Sequence, residues 1–240
     1  FKKYNLPYRA SFGHDGKFLE NTQFLAGLHV HKAREKVLEQ LKEHGLLREQ
    51  KQIMHTVNVH ERCKKEIEYL AFTQWFLSIL PHKEKFIELA DQIEWFPHFM
   101  KSRYINWVEA ISWDWCLSRQ RFYGIPFPAW HCNNGHVIVA SLDQLPVDPQ
   151  ETTYKGMCPE CNSALIEPDT DVMDTWNTSS LTPQLCFSLL FPDENAFESS
   201  QAGQFIPMSM RPQAHDIIRT WAFYTIVKSW MHFDKIPWKS

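Results

Sequence analysis

Arg211-Pro212-Gln213-Ala214-His215-Asp216-Ile217-Ile218-Arg219-Thr220-Trp221 is the stretch on which the fold turns. Here a polar cluster opens onto a run, Asp216 to Phe233, whose Ile217, Ile218, Trp221, Ala222, Phe223, Ile226, Val227 and Trp230 leave almost no polar face. A helix that is apolar nearly all round is buried on most sides, so the run predicts a central core helix. Asp216 or His215 stands where an N-cap belongs, and Asp is a preferred cap. The same position aims free N–H groups and the helix dipole outward, which suits an anionic or ribose-bearing ligand. Capping and ligand binding are compatible.

Working outward, residues 204 to 210 predict a strand leading into this helix. Residues 113 to 130 read as strand and turn, with Pro126 and Pro128 limiting the ladder positions. Helices are expected at about 82–94 and 98–111, where Pro81 and Pro97 each stand just before a helical pattern. Residues 52 to 80 read as strands, from Ile53 to Val59, Ile67 to Leu70 and Trp75 to Ile79. From His29 to Leu47, Val30, Ala33, Val37, Leu38 and Leu41 keep helical spacing, charged residues cover the other face, and Gly45 is placed to cap the end. Residues 1 to 28 are turn-rich, with His14-Asp15-Gly16 a hairpin signal between Phe12 and Phe18. The order of elements suits an α/β architecture carrying insertions.

Composition narrows the class. With 240 residues, 44% hydrophobic and 22% charged, the chain has room for one large domain or two small ones and is not a disordered type. Ten Trp and 17 Phe are a heavy aromatic load, most of it expected in the core. A net charge of −3 argues against a general nucleic-acid coat protein, but leaves room for RNA contact through a local patch. No apolar run is long enough to cross a bilayer. The opening Phe1-Lys2-Lys3-Tyr4-Asn5-Leu6-Pro7 has neither an initiator Met nor a signal-peptide pattern, which leads us to expect part of a longer polypeptide.

Residues 131 to 168 form a loop-rich insert without helical period. Cys132-x3-His136 and Cys158-x2-Cys161 supply thiolate and imidazole groups of the kind that bind zinc in a tetrahedron. Four protein ligands leave no open position, so the expected role is structural: a small ribbon without much apolar core needs such a staple. Cys132 and His136 could instead be incidental, with only the Cys158–Cys161 pair significant.

Two further stretches set polar groups beside tryptophan. They are Asp114-Trp115-Cys116-Leu117-Ser118-Arg119-Gln120 and Asp171-Val172-Met173-Asp174-Thr175-Trp176-Asn177-Thr178-Ser179-Ser180. Taken singly, each reads equally well as a loop with a buried aromatic anchor.

Taken together and in order, these stretches resemble the valyl-tRNA synthetases of class I. Asp114 to Gln120, followed by Phe122-Tyr123-Gly124 and Pro128-Ala129-Trp130, looks like the segment shared by class I synthetases for branched aliphatic amino acids. Asp174-Thr175-Trp176 with Thr178-Ser179-Ser180 resembles a second shared element, and Arg211 to Thr225 is closest to the valyl enzymes. Val59-x-x-Arg62-Cys63, Ile67 to Leu70 and Gln74 to Phe76 resemble the return from the editing insertion into the catalytic core.

The resemblance implies an α/β fold: part of a Rossmann-like catalytic domain over 71–240, interrupted by a zinc-ribbon-like insert at 131–168, with 1–70 the trailing part of the editing insertion. It implies a valine–tRNA ligase that uses ATP and Mg2+, with valine and tRNA(Val) as partners, monomeric and cytoplasmic, with no membrane association. The whole enzyme would edit mischarged threonine, since a valine pocket rejects that near-isostere weakly. By position, Trp130, Trp176 and Asp174 would form the amino-acid pocket. Gln213, His215, Asp216 and Ser179 would hold the ATP or adenylate, and Cys132, His136, Cys158 and Cys161 the Zn2+. Ala214 replaces a Gly frequent in the family, which restricts backbone approach to a nucleotide. Neither the His-x-Gly-His nor the Lys-Met-Ser-Lys-Ser element is present, so the chain by itself is expected to be inactive. An isoleucyl enzyme and a non-catalytic zinc-ribbon module that binds RNA or protein remain as alternatives.

Overall fold

The computed structural model describes residues 4, 7, 9–71, 73–194 and 202–240. The chain divides into two compact units, Phe1–Thr73 and Gln74–Ser240.

In the first unit the expected turn forms: Phe12 and Phe18 pair across Gly16, whose φ of 70° is a left-handed value glycine adopts at no cost. Helix α1 (Val30–Glu43) buries Val30 and Ala33. It ends in a Schellman motif: Gly45 N–H donates to the Lys42 carbonyl and Leu46 N–H to the Leu41 carbonyl, with Gly45 at φ 65°. Arg34 of α1 bridges Glu66 and Glu68 at 3.1 and 2.9 Å. The strands expected between residues 52 and 70 do not form. Among the described residues that stretch holds only the isolated Val59–Glu66 bridge. Ile53 and Met54 stand 76% and 103% exposed, so nothing in the described unit covers a face on which a strand could be built.

The second unit is built on one helical core. Helix α2 (Lys83–Asp91) buries Phe86, Leu89 and Ala90, and α3 (Met100–Ala110) buries Tyr104 and Val108. These spacings of three and four residues place each set on one helix face. Against them pack Ile218, Ala222, Phe223, Ile226 and Val227. The Lys83 ammonium closes the end of α3 by donating to the carbonyls of Glu109 and Ile111 at 2.7 and 2.8 Å, a favourable place for a cation. The expected continuous helix from Asp216 is segmented: a 3-10 turn His215–Ile217, a π-helical turn Ile218–Ala222, then α7 (Phe223–Phe233).

The strands are short. β1 (Phe76–Leu77) pairs antiparallel with β2 (Trp115–Cys116), and β3 (Ser118–Arg119) with β7 (Val172–Met173). In the insert β4 (Ala129–Cys132) lies between β5 (Val137–Val139) and β6 (Ile166–Pro168). α4 (Thr175–Ser179) and α5 (Thr182–Leu190) follow β7. The strand expected over 204–210 is also corrected. Residues Ala202–Phe205 form α6, and extended pairing begins only at Met208, in a parallel bridge to Trp238. No described helix is long and apolar enough to cross a membrane.

Candidate functional site

Cys132 ends β4, His136 follows the turn and immediately precedes β5, and Cys158 and Cys161 lie in the turn before β6. Their ligand atoms lie within 4.8 Å of one another. The Cys132 sulfur is 3.8 Å from that of Cys161 and 3.4 Å from His136 Nδ1, and the Cys158 sulfur is 3.6 Å from the same nitrogen. A zinc tetrahedron with ordinary bond lengths has S···S edges of about 3.8 Å and S···N edges of about 3.5 Å. The donor set therefore fits Zn2+ in kind and in spacing, with Nδ1 as the imidazole ligand. The Cys161 thiol is held down to about 6, first by the side-chain amide of Asn134 and then by the backbone N–H of Ser163. Glu160 approaches His136 Nε2 at 3.8 Å, on the side of the ring facing away from the sulfurs.

β4 carries two different surfaces. Trp130 and Cys132 alternate onto one face, and Trp130 is 2% exposed, packed with Ile138, Cys158 and Tyr154. Its indole N–H donates to the Thr152 carbonyl at 3.2 Å. The Trp130 ring belongs to the core of the ribbon, while Trp176, the other tryptophan expected at an amino-acid pocket, packs against the helical core. His131 faces the other way, toward Asp169 at 2.9 Å. Asp169 also accepts the Trp75 indole N–H at 2.7 Å, and Trp75 stacks on Phe127. One buried carboxylate thus joins the ribbon to the segment that leads into β1.

Asp174, 6% exposed, is tied from two sides. The Trp115 indole N–H donates to it at 3.0 Å, and the Arg119 guanidinium lies 3.3 Å away. Arg119 also donates to the carbonyls of Cys116 and Ser118. This lock fixes the start of α4 and with it Trp176. At the other end of α4 the Ser179 carbonyl accepts the Trp221 indole N–H at 2.9 Å, so the structure brings Trp176, Ser179 and Trp221 into one neighbourhood. Trp221, Trp115 and Arg119 were not singled out as site residues from sequence. The available signal was their place inside the three polar stretches. Asp114, from the first of these, accepts the N–H groups of Ile79 and Leu80 at 2.8 and 3.0 Å. Those bonds, Leu80's first, hold its carboxyl below the usual range.

Asp216 does not cap its helix: Ala214 occupies the N-cap and no side chain bonds there. Its carboxylate is exposed and has no hydrogen-bond partner among the described residues. Beside it, Gln213, Ala214 and His215 line a cavity of about 420 Å³ with Trp95, Phe96 and Trp238 among its other walls. Neither Trp130 nor Trp176 lines it.

The family model for class I tRNA synthetases (I, L, M and V) matches residues 11–240. The chain belongs to that family. Among curated relatives it is 43% identical to the valine–tRNA ligase of Thermoplasma volcanium and 44% to that of Thermoplasma acidophilum, in each case over 99% of this chain and 29% of the relative. It is 42% identical to the valine–tRNA ligase of Rickettsia conorii over 100% of this chain and 30% of that one. The chain thus spans just under a third of the length of these relatives. Among solved structures, an Agrobacterium radiobacter K84 LeuRS in ternary complex with tRNA and LeuAMS aligns over 53% of this chain and 18% of that one, at 23% identity and a TM-score of 0.44.

Proposed function

We propose that the chain is part of a valine–tRNA ligase, contributing one wall of the site that activates valine with ATP and Mg2+ and passes the valyl group to tRNA(Val). The observation that carries this is the likeness to valine–tRNA ligases along essentially the whole chain. The geometry agrees with such a role. Asp216 offers an unspent carboxylate to ribose hydroxyls, with Gln213 and His215 beside it at the cavity wall. Trp176, held through Asp174 and the Ser179–Trp221 contact, presents an aromatic surface that suits a small branched side chain. Residues 1–70 belong to the editing insertion and 71–240 to the catalytic domain. Zn2+ on Cys132, His136, Cys158 and Cys161 fixes the ribbon and takes no part in the reaction. The whole enzyme works as a cytoplasmic monomer.

The test replaces the matching segment of the Thermoplasma volcanium ligase with this chain and measures valine-dependent exchange of pyrophosphate into ATP. Exchange should survive in the chimera and fall by on the order of a hundredfold in its Asp216→Ala variant, with melting unchanged. A folded chimera with isoleucine-dependent but no valine-dependent exchange overturns the assignment.

A further inference from the structure

Arg211 is held in an unusual state. Its guanidinium carbon lies 3.5 Å above the Trp221 ring and 5.0 Å from that of Trp238. Both terminal nitrogens are buried without a hydrogen-bond partner among the described residues. Gln213, two residues on, has its side-chain oxygen and nitrogen in the same condition. Both residues line the cavity of about 420 Å³ described above. Glu94 also lines it, yet no ion pair joins it to Arg211 among the described residues. Burial pushes the Arg211 guanidinium down to about 10, with the nearby Cys186 opposing.

Stacking on indoles offsets part of the desolvation of a cation but fills none of its N–H directions. Orphaned donors on a buried charge are among the costliest defects a fold can hold. A volume of this size, with mostly apolar walls and a few convergent polar groups, is the usual form of a small-molecule site. The planar guanidinium fork matches two oxygens of one anion. The amide of Gln213 both donates and accepts.

We propose that this cavity is an oxyanion-binding site, in which Arg211 takes the phosphate or carboxylate of a small molecule and Gln213 a neighbouring donor–acceptor group of the same ligand. The site adds Arg211 to the wall assigned above. It does not depend on valine being the substrate.

The test follows melting and tryptophan fluorescence of the 240-residue chain in inorganic phosphate, in acetate and in AMP, against chloride at equal ionic strength. At least one of the three should raise the melting temperature and change the fluorescence. Arg211→Met, which keeps the stacked stem, should abolish the response. Arg211→Lys, a cation without the fork, should weaken binding on the order of tenfold. A response to phosphate and AMP but not acetate assigns a phosphate, and the reverse a carboxylate. No response from the unaltered chain, or an equal one from Arg211→Met, overturns the proposal. If Arg211→Met does not fold, a lysine variant that binds as tightly as the unaltered chain has the same force. A chimera active with valine beside an anion-blind Arg211 would sink this inference and leave the functional reading standing. Anion binding beside an inactive chimera would do the opposite.

Discussion

The indole of Trp115 lies flat on the ring of Tyr224, with centroids 3.6 Å apart and planes 9° from parallel. Trp115 comes from β2 and Tyr224 from α7, so the stack joins the strand region to the core helix. The same indole donates to Asp174, which fixes the entry to α4. One aromatic pair therefore transmits the position of the core helix to Trp176.

Removing the acceptor should be costly. Asp174→Ala deprives Trp115 of its partner and leaves Arg119 short of its carboxylate. The expected loss is about 2–3 kcal/mol, because hydrogen bonds to charged groups are the stronger kind and Arg119 is still partly hydrated. Asp174→Asn keeps an oxygen for the indole and should lose roughly half as much. Urea unfolding followed by far-UV dichroism measures both. Equal losses would show that the retained oxygen contributes nothing and that the charge carries the whole lock, whereas no loss in Asp174→Asn would show that the charge contributes nothing.

Tyr224 makes the fold sensitive to alkali. Burial first, then the Asp174 charge, push its phenol up to about 12, with Arg119 opposing. A group whose folded value lies above its unfolded one of 10.0 contributes stability that is complete below that pH and is lost as pH rises through the folded value. Tyr104, fully buried, is displaced in the same direction by desolvation. Stability should therefore decline from about pH 10 upward. Phenolate absorbance during a pH titration should show a late component, and Tyr224→Phe should diminish it.

Chelation should unfold the ribbon and spare the helices. Cys158 is fully buried and Trp130 packs over the ligand set. The helical core of Phe86, Tyr104 and Phe223 shares no residue with that cluster. With Zn2+ on the four residues as proposed above, the purified chain should carry about one equivalent of zinc and Cys158→Ser only a small fraction of it, since three remaining ligands hold structural zinc poorly. Metal analysis, with Trp130→Phe to identify its fluorescence, checks this. A zinc content unaffected by the change would displace Cys158 from the ligand set.

How much of this could be read from residues alone differs by element. The convergence of Cys132, His136, Cys158 and Cys161 was legible because two short spacings carry their own geometry. Helices α2 and α3 were legible because Phe86, Leu89, Tyr104 and Val108 repeat at helical intervals. Residues 52 to 70 misled because a run such as Ile53-Met54 has strand composition but needs a partner from elsewhere, and composition does not supply one. The burial of Trp130 in the ribbon also had a signal in the sequence. In a strand, residues two apart share a face, so a tryptophan two places before Cys132 belongs beside the Cys/His cluster. The orphaned polar atoms of Arg211 could not be foreseen. Burial without a partner is a property of the fold, and Arg211 reads in sequence as one more cation.

Gly124 offers a test of how β3 and β7 are closed. A Cβ at this position would meet the Val172 side chain at 2.6 Å and 2.8 Å. Val172 pairs with Arg119 in the ladder and with Pro126 in an adjoining bridge, and is itself buried, so it has little room to retreat. Gly124→Ala should destabilise the chain by about 1–3 kcal/mol, the usual range for overpacking. Val172→Ala removes the nearest methyl but leaves the Cβ. It should be destabilising alone, yet recover part of the loss when combined with Gly124→Ala. A double-mutant cycle by urea unfolding reads the coupling directly. Strict additivity would mean that Gly124 is not held against Val172 and that the loop of residues 120–126 is positioned by something else.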